Sequence, residues 1–244
     1  MDNNQTNKAT RSFIDFTKEL EQSDFLISFL KLGNNYISEN FSDAKEKLKQ
    51  IYRKDGEDLE FFQKNSEKLL QIGFYEQNLS RKIYVSTIDN FINYFKDILA
   101  EIVTKKPEVL KSKDQERIDF IIEHQTMEDL IKSISEKKIE ELFYKGLKDI
   151  IKFFNDRLGI VIFSDKKREN EINLLVKQRN LVVHNRGKTN KEIIKEFPEE
   201  HLLEDHHFDF KFDYVIKINK ILYQLINELD YKLTNKFNLN EISY

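Results

Sequence analysis

Apolar residues recur along this chain every three or four positions, the period of helices lying on a core. Phe13, Phe16, Leu20, Leu26, Phe29 and Leu30 predict a first helix that ends near Gly33. Ala44, Leu48, Ile51 and Tyr52 predict a second, stopped before Gly56. Leu59, Phe62, Leu69 and Leu70 predict a third, stopped at Gly73. The fourth has the clearest pattern. Ile88, Phe91, Ile92, Phe95, Ile98, Leu99 and Ile102 follow the i, i+3, i+4 rule without a break and stop before Pro107.

Beyond Pro107, Ile118, Ile121 and Ile122 fit a short helix, and Thr126-x-x-Asp129 has the form of a capping box opening another. Ile139, Leu142, Phe143, Leu147, Ile150, Ile151 and Phe154 predict a long helix ending near Gly159. Asp165 can cap the next, which carries Ile172, Leu175, Val176 and Val183 towards Gly187. Pro198 closes a short helix begun near Asn190. Phe208, Phe210 and Phe212 alternate as in a strand, in a run too short to pair securely. Ile218, Ile221, Leu222, Leu225, Ile226, Leu229 and Leu233 form the last long helix. The expected fold is therefore an all-α helical bundle. Gly73, Asn78 and Ser80 suggest a boundary, with residues 1–78 as an N-terminal helical extension and 79–244 as a helical domain.

Composition narrows this picture. Six glycines and two prolines in 244 residues are too few for the tight turns of sandwiches, barrels or dinucleotide-binding folds. The absence of cysteine excludes a disulfide scaffold, thiol catalysis and cysteine-ligated zinc. No apolar run approaches the ~20 residues of a membrane span. Residues 1–11 lack the apolar segment of a secretion signal, so a cytoplasmic, non-membrane protein is expected. The net charge of −3 excludes a wholesale polyanion binder. That figure averages over opposite segments, however. Residues 164–195 hold nine Lys or Arg and four Asp or Glu, whereas 196–213 hold one and seven. Such a pair of segments can steer RNA to one side, or can simply lie against each other as solvated faces.

The basic segment contains Gln178-Arg179-Asn180-Leu181-Val182-Val183-His184-Asn185-Arg186-Gly187. Arginine is a permanent cation whose planar fork suits phosphate, and histidine can take and give a proton near neutral pH. Together Arg179 and His184 could cleave RNA with no metal. Histidine would move the proton of the ribose 2′-OH or of the leaving 5′-oxygen, and arginine would stabilise the charge growing on phosphorus. On an ideal helix Asn180 and His184 share a face, but Arg179 lies ~140° from His184. Either the helix end unwinds there, or a two-fold dimer brings two copies of the segment together; the dimer is the favoured reading. Lys177, Asn185, Arg186 and Lys188 are the candidate RNA contacts, with a helix-capping role for Asn185 an equal alternative.

Spacing alone is weak support. Eight arginines and five histidines with three allowed offsets give about 0.5 chance occurrences, and Arg117 to His124 is such a decoy. The context differs: Arg179 is followed by polar Asn180, an apolar Leu-Val-Val and a glycine stop, Arg117 by Ile118 and no stop. The plain alternative is an arginine in a salt bridge and a histidine satisfying the helix end. His201, His206 and His207 beside Glu204 and Asp205 raise a metal hypothesis, but neighbouring histidines point apart, so a solvated loop and no metal is expected. No phosphate-binding glycine loop, nucleophile elbow or His-Glu-x-x-His is present, and no cofactor is expected.

Arg179-Asn180-Leu-Val-Val-His184-Asn185-x-Gly187 resembles the signature of the HEPN superfamily, and the likeness covers roughly residues 80–240. The resemblance implies a four-helix core with extra N-terminal helices. It also implies a metal-independent endoribonuclease working as a homodimer with a composite site, in a toxin–antitoxin or phage-defence setting. Arg179 and His184 would be the catalytic pair, Asn180 the polar helper, and a cognate antitoxin or defence-system protein a further partner. The alternative is a non-catalytic helical module binding RNA, a nucleotide or a protein through the same cleft. Residues 1–78 lie outside the resemblance and could dock a partner.

Overall fold

The computed structural model describes residues 8–54, 59–112, 115–239 and 242–243. Among them are ten α-helices: α1 Arg11–Glu39, α2 Phe41–Lys54, α3 Leu59–Leu69, α4 Ile72–Lys105, α5 Ile118–Ile122, α6 Met127–Lys145, α7 Leu147–Asp156, α8 Lys166–Asn185, α9 Lys191–Glu196 and α10 Phe212–Phe237. The fold is an all-α helical bundle. Two two-residue strands, β1 Lys8–Ala9 and β2 Ile242–Ser243, pair antiparallel, a feature without a sequence signal.

The apolar stripe of α4 is the centre of the core. Tyr84, Ile88, Phe91, Phe95, Ile98, Leu99 and Ile102 are fully buried, and α4 packs against α1, α6, α8 and α10. The register follows from the polar contacts. Ser12 bonds Glu101 and the Asn90 amide donates to Phe16 O, so α1 runs antiparallel to α4. Arg81 reaches Arg186 O and Tyr84 reaches Leu175 O, so α8 is antiparallel to α4 as well. Tyr94 meets Asp230 and Glu76 meets the Phe212 N–H, so α10 is parallel to it. One end of the bundle therefore gathers the start of α4, the end of α8 and the start of α10.

Three boundaries differ from expectation. Gly33 does not stop α1, which continues to Glu39 and closes with the Asn40 N–H on Tyr36 O. A single glycine costs ~1 kcal/mol inside a helix, too little to end one by itself. Gly146, by contrast, takes φ +99° and divides the helix expected over 139–154 into α6 and α7. The apolar period runs through the break because Ile139, Leu147, Ile150 and Phe154 enter the same core. The boundary expected at residue 78 falls inside α4, and Phe13, Ile14, Phe16, Leu20 and Ile27 of α1 share the core with α4 and α10. The first half of α1 is part of the bundle, not an extension of it.

Phe208–Phe212 forms no strand. It is an extended strap: Phe208 N–H donates to Gly187 O (3.3 Å), and α4 side chains take two further donors, Gln77 Oε1 accepting from Phe210 N–H (2.9 Å) and Glu76 Oε1 from Phe212 N–H (3.2 Å). The other N-terminal signals hold. Thr126, Asp165 and Asn190 each accept a hydrogen bond from the N–H three residues on.

At the far end of the bundle Asp230 is buried, accepting from the Thr10 hydroxyl, the Tyr94 hydroxyl (3.0 Å) and the Thr10 N–H (3.4 Å). Burial pushes its carboxyl above the usual range, against the pull of those hydrogen bonds. The folded state then holds the proton better than the unfolded one. The stability from this group is complete below the ordinary aspartate value and is lost as pH rises through the raised one. Urea unfolding of wild type and Asp230→Asn from pH 4 to 7 is expected to show the wild type's advantage shrinking as pH rises. A constant difference would remove the linkage.

Candidate active site at the end of α8

Asp165 caps α8, its carboxylate accepting from the Arg168 N–H at 2.8 Å, and the helix runs unbroken to Asn185. It ends with Arg186 (φ 54°) and Gly187 (φ 80°) in left-handed conformations, and Gly187 N–H returns to Leu181 O at 2.9 Å. A Cβ on Gly187 would meet only ordinary contacts, so the backbone angle is what calls for glycine there. The cap is Arg186, not Asn185. Asn185 instead braces the following turn, its amide donating to Lys188 O at 3.0 Å.

Gln178 fixes which way each face of α8 points. Its buried Oε1 accepts from the Tyr214 hydroxyl at 3.0 Å, and the Tyr84 hydroxyl lies 3.0 Å from it and 2.8 Å from Leu175 O. Burial pushes the Tyr214 phenol up to about 12, so at neutral pH it stays a hydrogen-bond donor. With Gln178 held inward, Arg179 turns to α4. Its Nη2 lies 2.6 Å from Asp89 Oδ1, and its Nη1 donates to Asn180 Oδ1 at 3.1 Å. Arg179 Nε is buried with no acceptor among the described residues. His184 is exposed, and its ring makes no hydrogen bond among the described residues.

The helix does not unwind between Arg179 and His184, so their ~140° separation stands. One chain presents the two groups on different sides of a helix. Asn180 does share the histidine's face and is exposed.

The four expected RNA contacts divide. Arg186 and Lys188 are exposed at the helix end, and Arg81 joins them from α4 by donating to Arg186 O at 3.0 Å. Lys177 is committed elsewhere. It lies 3.1 Å from Glu196 and 3.4 Å from Glu192, and Lys148 binds the same Glu196 at 2.9 Å. The Lys148 hydrogen bond, followed by that of Lys177, holds the Glu196 carboxyl below its usual range despite burial. Asn185, as described, serves the turn.

The acidic strip lies against the basic segment. Thr189 ties them, donating its N–H to His206 O (2.9 Å), accepting from Asp205 N–H (3.2 Å) and bonding Leu203 O through its hydroxyl. Lys191 reaches Glu204 at 3.9 Å. The two charged segments thus neutralise each other locally around Lys177 and Lys191, and leave Arg186 and Lys188 outside that pairing.

Between α1 and α4 lies an open groove of about 470 Å³, lined among others by Asp15, Lys18, Gln22, Asp89, Asn93 and Asp97. Burial, and secondly the neighbouring Asp15, raise the Asp97 carboxyl above its usual range. Asp89 belongs both to this groove and to the Arg179 pair.

Comparison with protein families, curated proteins and solved structures found no match. The site's own geometry carries the reading.

The decoy separates from the site at once. Arg117 precedes the five-residue α5 and is locked to Asp119 at 2.5 Å, while His124 Nδ1 lies 2.8 Å from Phe120 O. Among the described residues no group of three or more histidines and carboxylates could hold a metal, the His201–His207 loop included. Asp89, Arg81 and Gln178 escaped the sequence reading. Gln178 adjoins the motif, but the aromatic hydroxyls that make it matter come from α4 and α10. Asp89 and Arg81 are ordinary polar positions on α4, with nothing local to mark them.

Proposed function

We propose that the protein is a metal-independent endoribonuclease of the HEPN type, acting in the cytoplasm in a toxin–antitoxin or phage-defence setting. One observation carries this reading: a single unbroken helix holds Arg179 oriented by Asp89 and leaves His184 exposed at its end, with no partner among the described residues. His184 acts on the proton of the 2′-OH or of the leaving oxygen. The 2′-oxygen attacks phosphorus, the P–O5′ bond breaks, and the products are a 2′,3′-cyclic phosphate and a 5′-hydroxyl. Arg179 stabilises the charge on the phosphoryl oxygens, Asn180 orients, and Arg186 and Lys188 hold the flanking backbone. The separation of Arg179 from His184 favours a homodimer in which two α8 ends face one another. A cognate antitoxin or defence protein would be a further partner.

The test is purified protein on total RNA, with chelator present, followed by analysis of the new ends. Cyclic phosphate termini that vanish in His184→Ala support the proposal; intact RNA, or cleavage unchanged by His184→Ala and Arg179→Ala, removes it. A second reading is favoured by the engagement of Arg179 with Asp89: a non-catalytic module that binds RNA, a nucleotide or a protein. It predicts no cleavage, with RNA retained if RNA is what the module binds.

Asp89 is a positioning residue in the first reading. Asp89→Ala is expected to slow cleavage about ten- to a hundredfold through misplacement of Arg179. Asp89→Asn keeps an acceptor for the guanidinium and is expected to restore most of the rate. Equal rates in the two variants would show that Asp89 does not act by holding Arg179.

A further inference from the structure

The middle of α1 carries an aromatic stripe that no described residue of its own chain covers. Phe25 and Phe29 are each 71% exposed, Leu32 68% and Tyr36 55%, with Leu26 alongside. Asp15, Lys18, Gln22, Phe25, Phe29, Leu32 and Tyr36 follow one another at alternating intervals of three and four residues. That 3.5-residue period is the seam of a helix built to pair with another helix. Isolated exposed apolar residues mean little, but a contiguous patch of this size on one helix face does.

We infer that the face Phe25–Tyr36 of α1 is a docking surface for a second copy of this chain, the two α1 helices pairing antiparallel about a two-fold axis. Three features select that occupant. Between Asp24 and Glu39 the only charged residue is Lys31, which is already paired with Asp213 at 2.5 Å, in a chain whose residues are 34% charged. A surface that meets itself across a two-fold must be free of charge near the axis, because every charge there faces its own copy. Antiparallel pairing sets position 25 against 36 and 29 against 32, so each large side chain meets another. Parallel pairing would instead bring Asp15 and Lys18 against their own counterparts along the same seam. Area supplies the third argument. The five side chains expose roughly 600 Å², and two copies together reach about 1,200 Å², the lower bound of a specific stable interface.

Gly33 fits the same arrangement. It sits beside the seam inside a helix, where glycine is costly, and beyond the adjoining backbone of α1 itself no described residue comes within 4 Å of a Cβ built upon it. Own-chain packing does not require it, whereas a second helix approaching closely would. Towards its N-terminal end the seam becomes Asp15, Lys18 and Gln22, which line the groove holding Asp89. A copy seated on Phe25–Tyr36 therefore ends beside the Asp89–Arg179 pair. Only this last link rests on the nuclease reading; the surface stands without it.

Sedimentation velocity on the full chain is expected to show a dimer. Phe25→Glu/Phe29→Glu should raise its dissociation constant about a thousandfold or more, two central anchors being lost. Both side chains are exposed, so an unchanged helical circular dichroism spectrum is expected. Ile118→Glu/Ile122→Glu, on the exposed face of α5, should leave the dimer intact. Because the chain has no cysteine, Phe29→Cys/Leu32→Cys offers a second readout: a short bismaleimide should link two copies efficiently. A wild type that stays monomeric, a dimer that survives the glutamates, or one lost only in the α5 variant overturns the proposal. A dimer of this kind without RNA cleavage would leave the surface standing and sink the nuclease; cleavage by a monomer would do the reverse.

Discussion

Replacing His184 by alanine is expected to lower RNA cleavage by about 10²–10⁴-fold, the usual contribution of a positioned acid or base. The side chain is exposed and bonds nothing in its own chain among the described residues, so its removal should leave stability nearly unchanged. That combination is diagnostic. A histidine that merely satisfied the helix end would cost stability and spare the rate. Arg179→Ala is expected to lose about 10²–10³-fold, with a structural side effect, because it leaves Asp89 without its 2.6 Å partner. Single-turnover cleavage of a defined oligoribonucleotide measures both. The double variant should be little worse than the poorer single one if the two groups serve one step. Fully additive losses would indicate that they act separately.

The largest effect on stability is expected from Phe95→Ala. Phe95 is fully buried on α4, edge-on to Phe91 at 5.1 Å and to Phe154 of α7 at 5.4 Å, and close to Tyr94 at 5.7 Å. Truncation removes the transfer energy of the ring and leaves a cavity that two helices cannot both close. The cost is about 3–5 kcal/mol. For a chain of this size each kcal/mol moves Tm by roughly 2–4 °C, so a fall on the order of 10 °C should appear by calorimetry. A shift of a degree or two would place Phe95 outside the cooperative core.

How far the sequence reached depended on how local the deciding interaction was. The α4 stripe was legible because its apolar positions need only a core to face. The caps at Thr126, Asp165 and Asn190 were legible because donor and acceptor lie three residues apart. Gly33 and Gly146 look alike in sequence and behave oppositely, one passed through and one used at φ +99°. The difference is made by what surrounds them in space. In the same way Arg179, Asn180 and His184 could be picked out by pattern, yet Asp89, ninety positions earlier, could not. Lys177 was expected to face RNA because its charge was visible; Glu196, which occupies it, meets it only through the path of the chain over α9.

The lock on Gln178 makes α8 behave like a key cut to a fixed angle. Two tyrosines hold that side chain inward, and everything downstream points where its count from residue 178 sends it. Each residue added or removed before His184 would swing the histidine by ~100° around the barrel. Leu181 and Val182 could be exchanged for other apolar residues with modest consequence, since they need only fill space. What this stretch encodes most strictly is therefore a number of residues, and its tolerance to mutation should be read as a tolerance of lettering within a word of fixed length.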